Sequence, residues 1–218
     1  MLYLKHLILI SSLFVFSCSG NNSSSFPGRN LLQEGDIILQ SIPCGDLCNS
    51  IEKATKLKNY HGISHAGVFT KHDGKDYVIE AYGSVKRTPL NEFIKRSRKK
   101  SRRQVIYIVR LKKEYQTLIP FFIKELEKRL GKPYDDIFMP DNDRYYCSEL
   151  ISDSFLTMGL KILPRHPMFF GKKSGKEYRV FQEYFAKKNL VVPEGKPGTN
   201  PASLLNLPAF DIIYNFER

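Results

Sequence analysis

The chain has 218 residues, 42% of them hydrophobic, which is enough apolar material for one core of ordinary size and too little for two full domains. Its 34 basic residues against 22 acidic ones give a net charge of +12, for which nucleic-acid binding is the first reading. That reading is set aside: much of the surplus lies in one run, Lys95, Arg96, Arg98, Lys99, Lys100, Arg102 and Arg103, which reads as a solvated helix end and loop with no nucleic-acid-binding motif beside it. Anionic phospholipid or cell-wall polymer would be a use for such a run in an exported protein, and solubility alone is the simpler account.

At the N-terminus Lys5 precedes the apolar stretch Leu7–Phe16, and Ser17 then stands before Cys18. A short positive region, an apolar segment and a small residue at the cut describe a secretory signal over residues 1–17, and the apolar segment is too short to span a bilayer comfortably. The segment resembles a bacterial lipoprotein signal. That resemblance implies cleavage before Cys18, acylation of its sulfur, and a membrane-anchored protein of the cell envelope, on its periplasmic or outer surface. Phe16 departs from the small residue usual there, so simple secretion is the alternative. The Ser- and Asn-rich residues that follow read as a flexible tether over 18–32, which leaves 33–218 for the folded domain.

If Cys18 is acylated, three cysteines remain. In an oxidising compartment Cys44 and Cys48 can pair, leaving Cys147 as the odd thiol; the alternative is two buried thiols, because the spacing is tight for a bridge. No histidine or acidic side chain stands at metal-ligand spacing beside them.

Along the domain, Gly35–Gln40 reads as a short strand and Leu47 to about Lys58 as a helix that Asn49 or Ser50 can cap. Ile63–Thr70 and Asp76–Tyr82 are two strands joined by Asp73-Gly74, the strongest short hairpin signal in the chain. Gln104–Leu111 is a further strand, rich in β-branched residues. Residues 114–130 carry apolar positions at helical spacing, ended by Gly131 and Pro133. Tyr145 to Met158 turns from loop to helix at Cys147 and stops at Gly159. Residues 160–202 read as irregular apart from a helix near Tyr178–Lys188, and Phe210–Phe216 as an edge strand. The sum is an α+β fold with a mainly antiparallel sheet packed with helices.

The hairpin places chemistry. With a two-residue turn, positions whose numbers sum to 147 face each other, and His65 lies diagonally across from Glu80 on the same face. A four-residue turn would make them direct partners; only a one-residue slip would separate them. A carboxylate beside an imidazole selects its tautomer and stabilises its charged form. Cys147, at a loop-to-helix junction, meets the unpaired amides and dipole of a first turn, which favour a thiolate and offer an oxyanion donor. His61 and His72 are rival bases, and neither shares the Glu80 face as well; His166 follows a Pro-rich break and reads as a loop residue.

Five segments in this order carry a resemblance: Gly35-Asp36-Ile37-Ile38, Ile63–Val68 around His65, Tyr77–Ala81 around Glu80, Gly131-Lys132-Pro133-Tyr134-Asp135, and Tyr145–Leu150 around Cys147. Together they resemble the circularly permuted NlpC-type papain-like cysteine hydrolases, more narrowly the YiiX/YaeF group, in which the histidine precedes the cysteine. Pro201-Ala202-Ser203-Leu204 is similar to the closing segment of that group. The resemblance implies a papain-like α+β fold, with Cys147 as nucleophile, His65 as general base and Glu80 as the residue that orients it, and no need for zinc or an organic cofactor. It further implies a cell-wall peptide or a lipid as substrate, with cleavage of an amide or peptide bond favoured over lipid acyl transfer on the same triad. A long acyl chain would require a deep apolar pocket opening at Cys147, and Pro167-Met168-Phe169-Phe170 and Tyr134–Phe138 could line one; a wall peptide would require a polar groove. A wall- or lipid-binding lipoprotein with no catalysis is the reading outside enzymology.

Overall fold

Ile37, Ile38 and Leu39 form an unbroken apolar run, which a strand needs when both of its faces are covered. The computed structural model describes residues 26–100 and 103–216, and buries all of this strand. Its elements in chain order are β1 (Ile37–Gln40), α1 (Asp46–Ala54), β2 (His65–His72), β3 (Lys75–Tyr82), β4 (Ser84–Pro89), α2 (Leu90–Lys95), β5 (Ile106–Leu111), α3 (Ile119–Glu127), α4 (Cys147–Thr157), α5 (Lys176–Ala186) and β6 (Phe210–Asn215). The six strands make one antiparallel sheet in the order β6-β5-β1-β2-β3-β4. The signal and tether residues up to Ser25, with Cys18 among them, lie outside the described residues.

Alternation along the strands feeds two cores. Ile37, Leu39, Ala66, Val68, Ile79 and Ala81 pack against α3 and α4, where Phe122 and Phe155 stack with ring centroids 4.1 Å apart. On the other face Ile38, Phe69, Val78, Ile106 and Ile108 are covered by Phe26 and by Leu90, Phe93 and Ile94 of α2. A smaller core of Phe170, Phe181 and Phe185 joins α5 to Leu47 and Ile51 of α1. Truncating one of these buried rings to alanine is worth about 3–5 kcal/mol.

The hairpin takes the two-residue form. Asp73 and Gly74 have φ of 49° and 71°, the positive pair that a type I′ turn requires, and Gly67 pairs with Glu80, so facing positions sum to 147. Gly67 also leaves room for the Phe93 ring of α2. A Cβ there would stand 2.4 Å from a Val78 methyl and 3.0 Å from the Phe93 ring.

Several elements depart from the sequence expectations. Residues 114–130 are a 3-10 segment, Lys113–Leu118, followed by α3, because Pro120 has no N–H to give and is tolerated only in a first helical turn. In α1 the helix ends at Ala54, and neither Asn49 nor Ser50 caps it: Gly45 occupies the cap, and Asn49 instead accepts from Arg98 Nη2 at 3.0 Å. Cys44 and Cys48 are joined by a disulfide across the start of α1, with Cα atoms 5.3 Å apart. Strand β4 and helix α2 fill residues 84–95, where nothing was expected beyond a helix end at the basic run. The basic run itself is not all solvated, since Arg96 and Arg98 turn inward.

Candidate active site

Three elements that are far apart in sequence converge on His65. The first residue of β2, it is 3% exposed, and its Nε2 lies 2.5 Å from Oε2 of Glu80 on β3. This is the diagonal relation of the two-residue register. Cys147, the first residue of α4 and 5% exposed, lies beside the imidazole, and with Nε2 committed to Glu80, Nδ1 is the nitrogen left to face the sulfur. Cys147 is the free cysteine among the described residues.

Glu80 is fully buried, and a bare carboxylate cannot be held there without partners. Its second oxygen, Oε1, accepts from Thr88 Oγ1 on β4 at 2.5 Å and from Arg96 Nη2 just past α2. The Arg96 guanidinium lies over the Tyr82 ring, 4.3 Å from its centroid, and 5.4 Å from that of Phe93. Burial pushes Glu80 up, but the hydrogen bond and charge of His65, with Arg96 and Thr88, outweigh it and hold the carboxyl at about 2. Burial likewise pushes His65 down, and Cys147 and Glu80 beside the ring overcome this and raise it to about 9. The imidazole therefore carries its proton at neutral pH, beside a sulfur and a carboxylate. The sequence missed Arg96 and Thr88. A polar edge strand has no apolar alternation to betray it, and nothing local distinguishes one arginine of a basic run from the next.

Gln40 is paired directly with His65 across β1 and β2, is fully buried, and has no partner for either amide atom among the described residues. Glu149, two residues into α4 from Cys147, accepts from the Tyr146 N–H at 3.4 Å and is 2% exposed. Burial, then the charges of Asp153 and Asp135, raise it to about 9, so it is a neutral acid at pH 7. Other quoted segments serve architecture. Asp36 is gripped by Arg110 through Nε at 2.7 Å and Nη2 at 2.8 Å. Asp135 accepts from the N–H groups of Ile137 and Met139, folding the loop that carries Phe138.

Cys147 opens on a cavity of about 170 Å³ whose walls include Ile51, Ala54, Phe138, Phe169, Phe170 and Phe181. Cavities of about 150 Å³ with such linings hold benzene-sized ligands. The lining also includes polar groups: Ser64, next to His65 in sequence, and Ser148 and Thr199, whose hydroxyls are 3.0 Å apart. Of the rival histidines, His72 lies in the hairpin end beside Asp73 and His61 beside Lys100 and Phe216, both away from Glu80. His166, expected in a plain loop, pairs with Gly198 in a two-residue ladder and lines the cavity.

A free cysteine at a buried helix start, against a histidine held by a carboxylate on an antiparallel sheet, defines the papain-like cysteine hydrolase arrangement. The chain belongs to the family described as permuted papain-like amidase enzyme, YaeF/YiiX, C92 family, whose model matches residues 31–214. It is 36% identical over 124 residues to the uncharacterized protein YiiX of Escherichia coli strain K12, a match spanning 55% of either chain. A crystal structure of YiiX from Escherichia coli O157:H7, titled there a metalloprotein, superposes with a TM-score of 0.68 at 25% identity, covering 84% of this chain and 97% of that one. Among the described residues no group of three or more His, Cys, Asp or Glu side chains is placed to hold an ion.

Proposed function

We propose that the chain is a cysteine hydrolase of amide bonds in which Cys147 is the nucleophile, His65 the acid and base, and Glu80 the residue that orients and charges it. The observation that carries this reading is the buried His65–Glu80 pair with the free thiol of Cys147 beside it. The sulfur, as thiolate, attacks the carbonyl carbon. His65 gives its proton to the leaving amine as the C–N bond breaks, leaving a thioester on Cys147. His65 then takes a proton from water, whose oxygen attacks the thioester; the C–S bond breaks and a carboxylic acid leaves. First-turn amides of α4 have no intrahelical acceptors and can receive the oxyanion.

A second reading concerns the acyl side of the bond. The cavity at Cys147 is walled by aromatic and aliphatic side chains, which favours an apolar acyl group over a charged wall peptide. The substrate is then an N-acyl amide or lipid ester, with the same chemistry at sulfur. Envelope location and acylation of Cys18 belong to the proposal as well, supported by the Lys5, Leu7–Phe16 and Cys18 pattern.

The test is alkylation of Cys147 against pH in residues 19–218, compared with His65→Ala, followed by turnover of N-acyl amides of increasing chain length and of γ-glutamyl peptides. Labelling well below pH 8 that outpaces a free thiol, and slows at least tenfold without His65, supports the triad. Labelling indifferent to His65 moves the reading to a binding lipoprotein. Turnover rising with chain length supports the acyl reading, which Ala54→Phe should then abolish by filling the cavity; turnover of γ-glutamyl peptides alone overturns it.

A further inference from the structure

The stretch 161–196 builds the outer wall of the Cys147 cavity and has a surface that the chemistry at Cys147 does not use. Phe170 points into the small core with Phe181 and Phe185, whereas its neighbour Phe169 is 55% exposed. After α5 the chain returns with Leu190 44% and Val191 87% exposed. The return is held against the Phe169 segment: Met168 N–H donates to Lys196 O, Gly195 N–H donates to Met168 O, and Val192 packs in the Phe170 core. The exposed apolar side chains thus belong to one small module, whose Met168–Phe170 segment lines the cavity.

Charge is concentrated on the same module. Residues 161–196 hold nine basic and three acidic side chains, half of the chain's net +12. Lys172, Lys173, Lys187 and Lys196 are exposed, and none has an ion-pair partner among the described residues. Elsewhere the arginines are spent on structure: Arg96 on Glu80, Arg110 on Asp36, Arg129 on Glu125. Exposed valine, leucine and phenylalanine among free lysines match a surface that is anionic at its face and apolar beneath it. A soluble polyanion would match the lysines and leave Val191 without a purpose.

We propose that the module over 161–196, with Phe169, Leu190 and Val191 as its apolar contacts and Lys172, Lys173, Lys187 and Lys196 around them, docks on an anionic lipid bilayer. Docking in this way turns the rim of the cavity toward the lipid. That orientation, though not the docking, rests on the acyl reading above.

The chain contains no tryptophan, so one introduced indole reports alone. In the full chain carrying Cys147→Ala, Val191→Trp should shift its emission to the blue on mixing with phosphatidylglycerol-containing vesicles and be quenched by brominated acyl chains. Phe121→Trp, at a 63% exposed site on α3, should do neither. Comparing the two sites removes any contribution of an N-terminal anchor. Adding Lys172→Gln and Lys173→Gln should weaken the Val191→Trp response about tenfold, and phosphatidylcholine alone should give little. An unmoved indole at 191, equal responses at 191 and 121, or the same shift with a soluble polyanion would each overturn the proposal. Because the nucleophile is absent throughout, none of these results depends on catalysis.

Discussion

Arg96 closes the buried carboxylate of Glu80 from the side opposite His65, with its guanidinium laid over the Tyr82 ring. The anion that orients the imidazole is therefore itself held by a cation from a different element, and removing that cation leaves a charge in the core. Arg96→Gln is expected to destabilise the fold by about 3 kcal/mol and to slow Cys147 alkylation with it. Arg96→Lys restores charge but not the flat stacking on Tyr82, and should recover stability in part. Urea denaturation of both variants checks this; parent-like stability of Arg96→Gln counts against the role.

The two shifted groups predict a stability window. His65, raised from 6.5 to about 9, contributes stability that is full below 6.5 and is lost as pH rises through 9. Glu80, lowered from 4.5 to about 2, contributes stability that is full above 4.5 and is lost as pH falls through 2. Unfolding free energy traced from pH 2 to 10 should fall away on both sides of this plateau. In Glu80→Gln the alkaline decline should move to lower pH, since the imidazolium has lost its partner.

Glu149 runs the other way. Its folded-state value, raised from 4.5 to about 9, makes it a liability that grows from pH 4.5 to 9. Glu149→Gln keeps the shape and an acceptor for Tyr146 N–H without a charge to bury. The variant should therefore match the parent near pH 4.5 and exceed it by about 1 kcal/mol or more at pH 8. A loss of stability at pH 8 would show that the carboxylate is needed charged.

The Cys44–Cys48 bridge closes a five-residue loop, for which chain entropy gives about 2 kcal/mol. Reduction should lower the melting temperature without stopping Cys147 alkylation. Thiol counting on the unreduced, denatured mature protein also reports on the N-terminus. One free thiol is expected if Cys18 is acylated and two if it is not, and Cys18→Ala should abolish metabolic labelling with a fatty acid.

Local signals carried much of the site. Asp73-Gly74 signals a tight hairpin, and both registers it leaves open put His65 and Glu80 on one face, so their neighbourhood could be read from residue numbers; the structure chose the two-residue turn and the diagonal placement. Cys147 at a helix start was equally local, because a loop of aspartates and prolines gives way there to helical spacing. The β-branched run of β5 and the glycine stops after α3 and α4 followed from short-range backbone preferences. Such features depend on neighbours within a few positions, and the sequence by itself determined them.

What needed the tertiary structure was everything supplied from a distance. Thr88 and Arg96 reach Glu80 only because a polar edge strand and a six-residue helix fold over it, and both elements are too short for a period to stand out in the sequence. The cavity at Cys147 draws on α1, the loop at Phe138 and the segment 166–203, with His166 brought in by a ladder to Gly198. Even the basic run was split by packing, with Arg96 and Arg98 taken inward by partners that lie 16 and 49 positions away. A buried carboxylate takes its counter-charge from whatever side chain the fold places next to it, and that choice is made by packing across the sheet rather than by spacing along the chain.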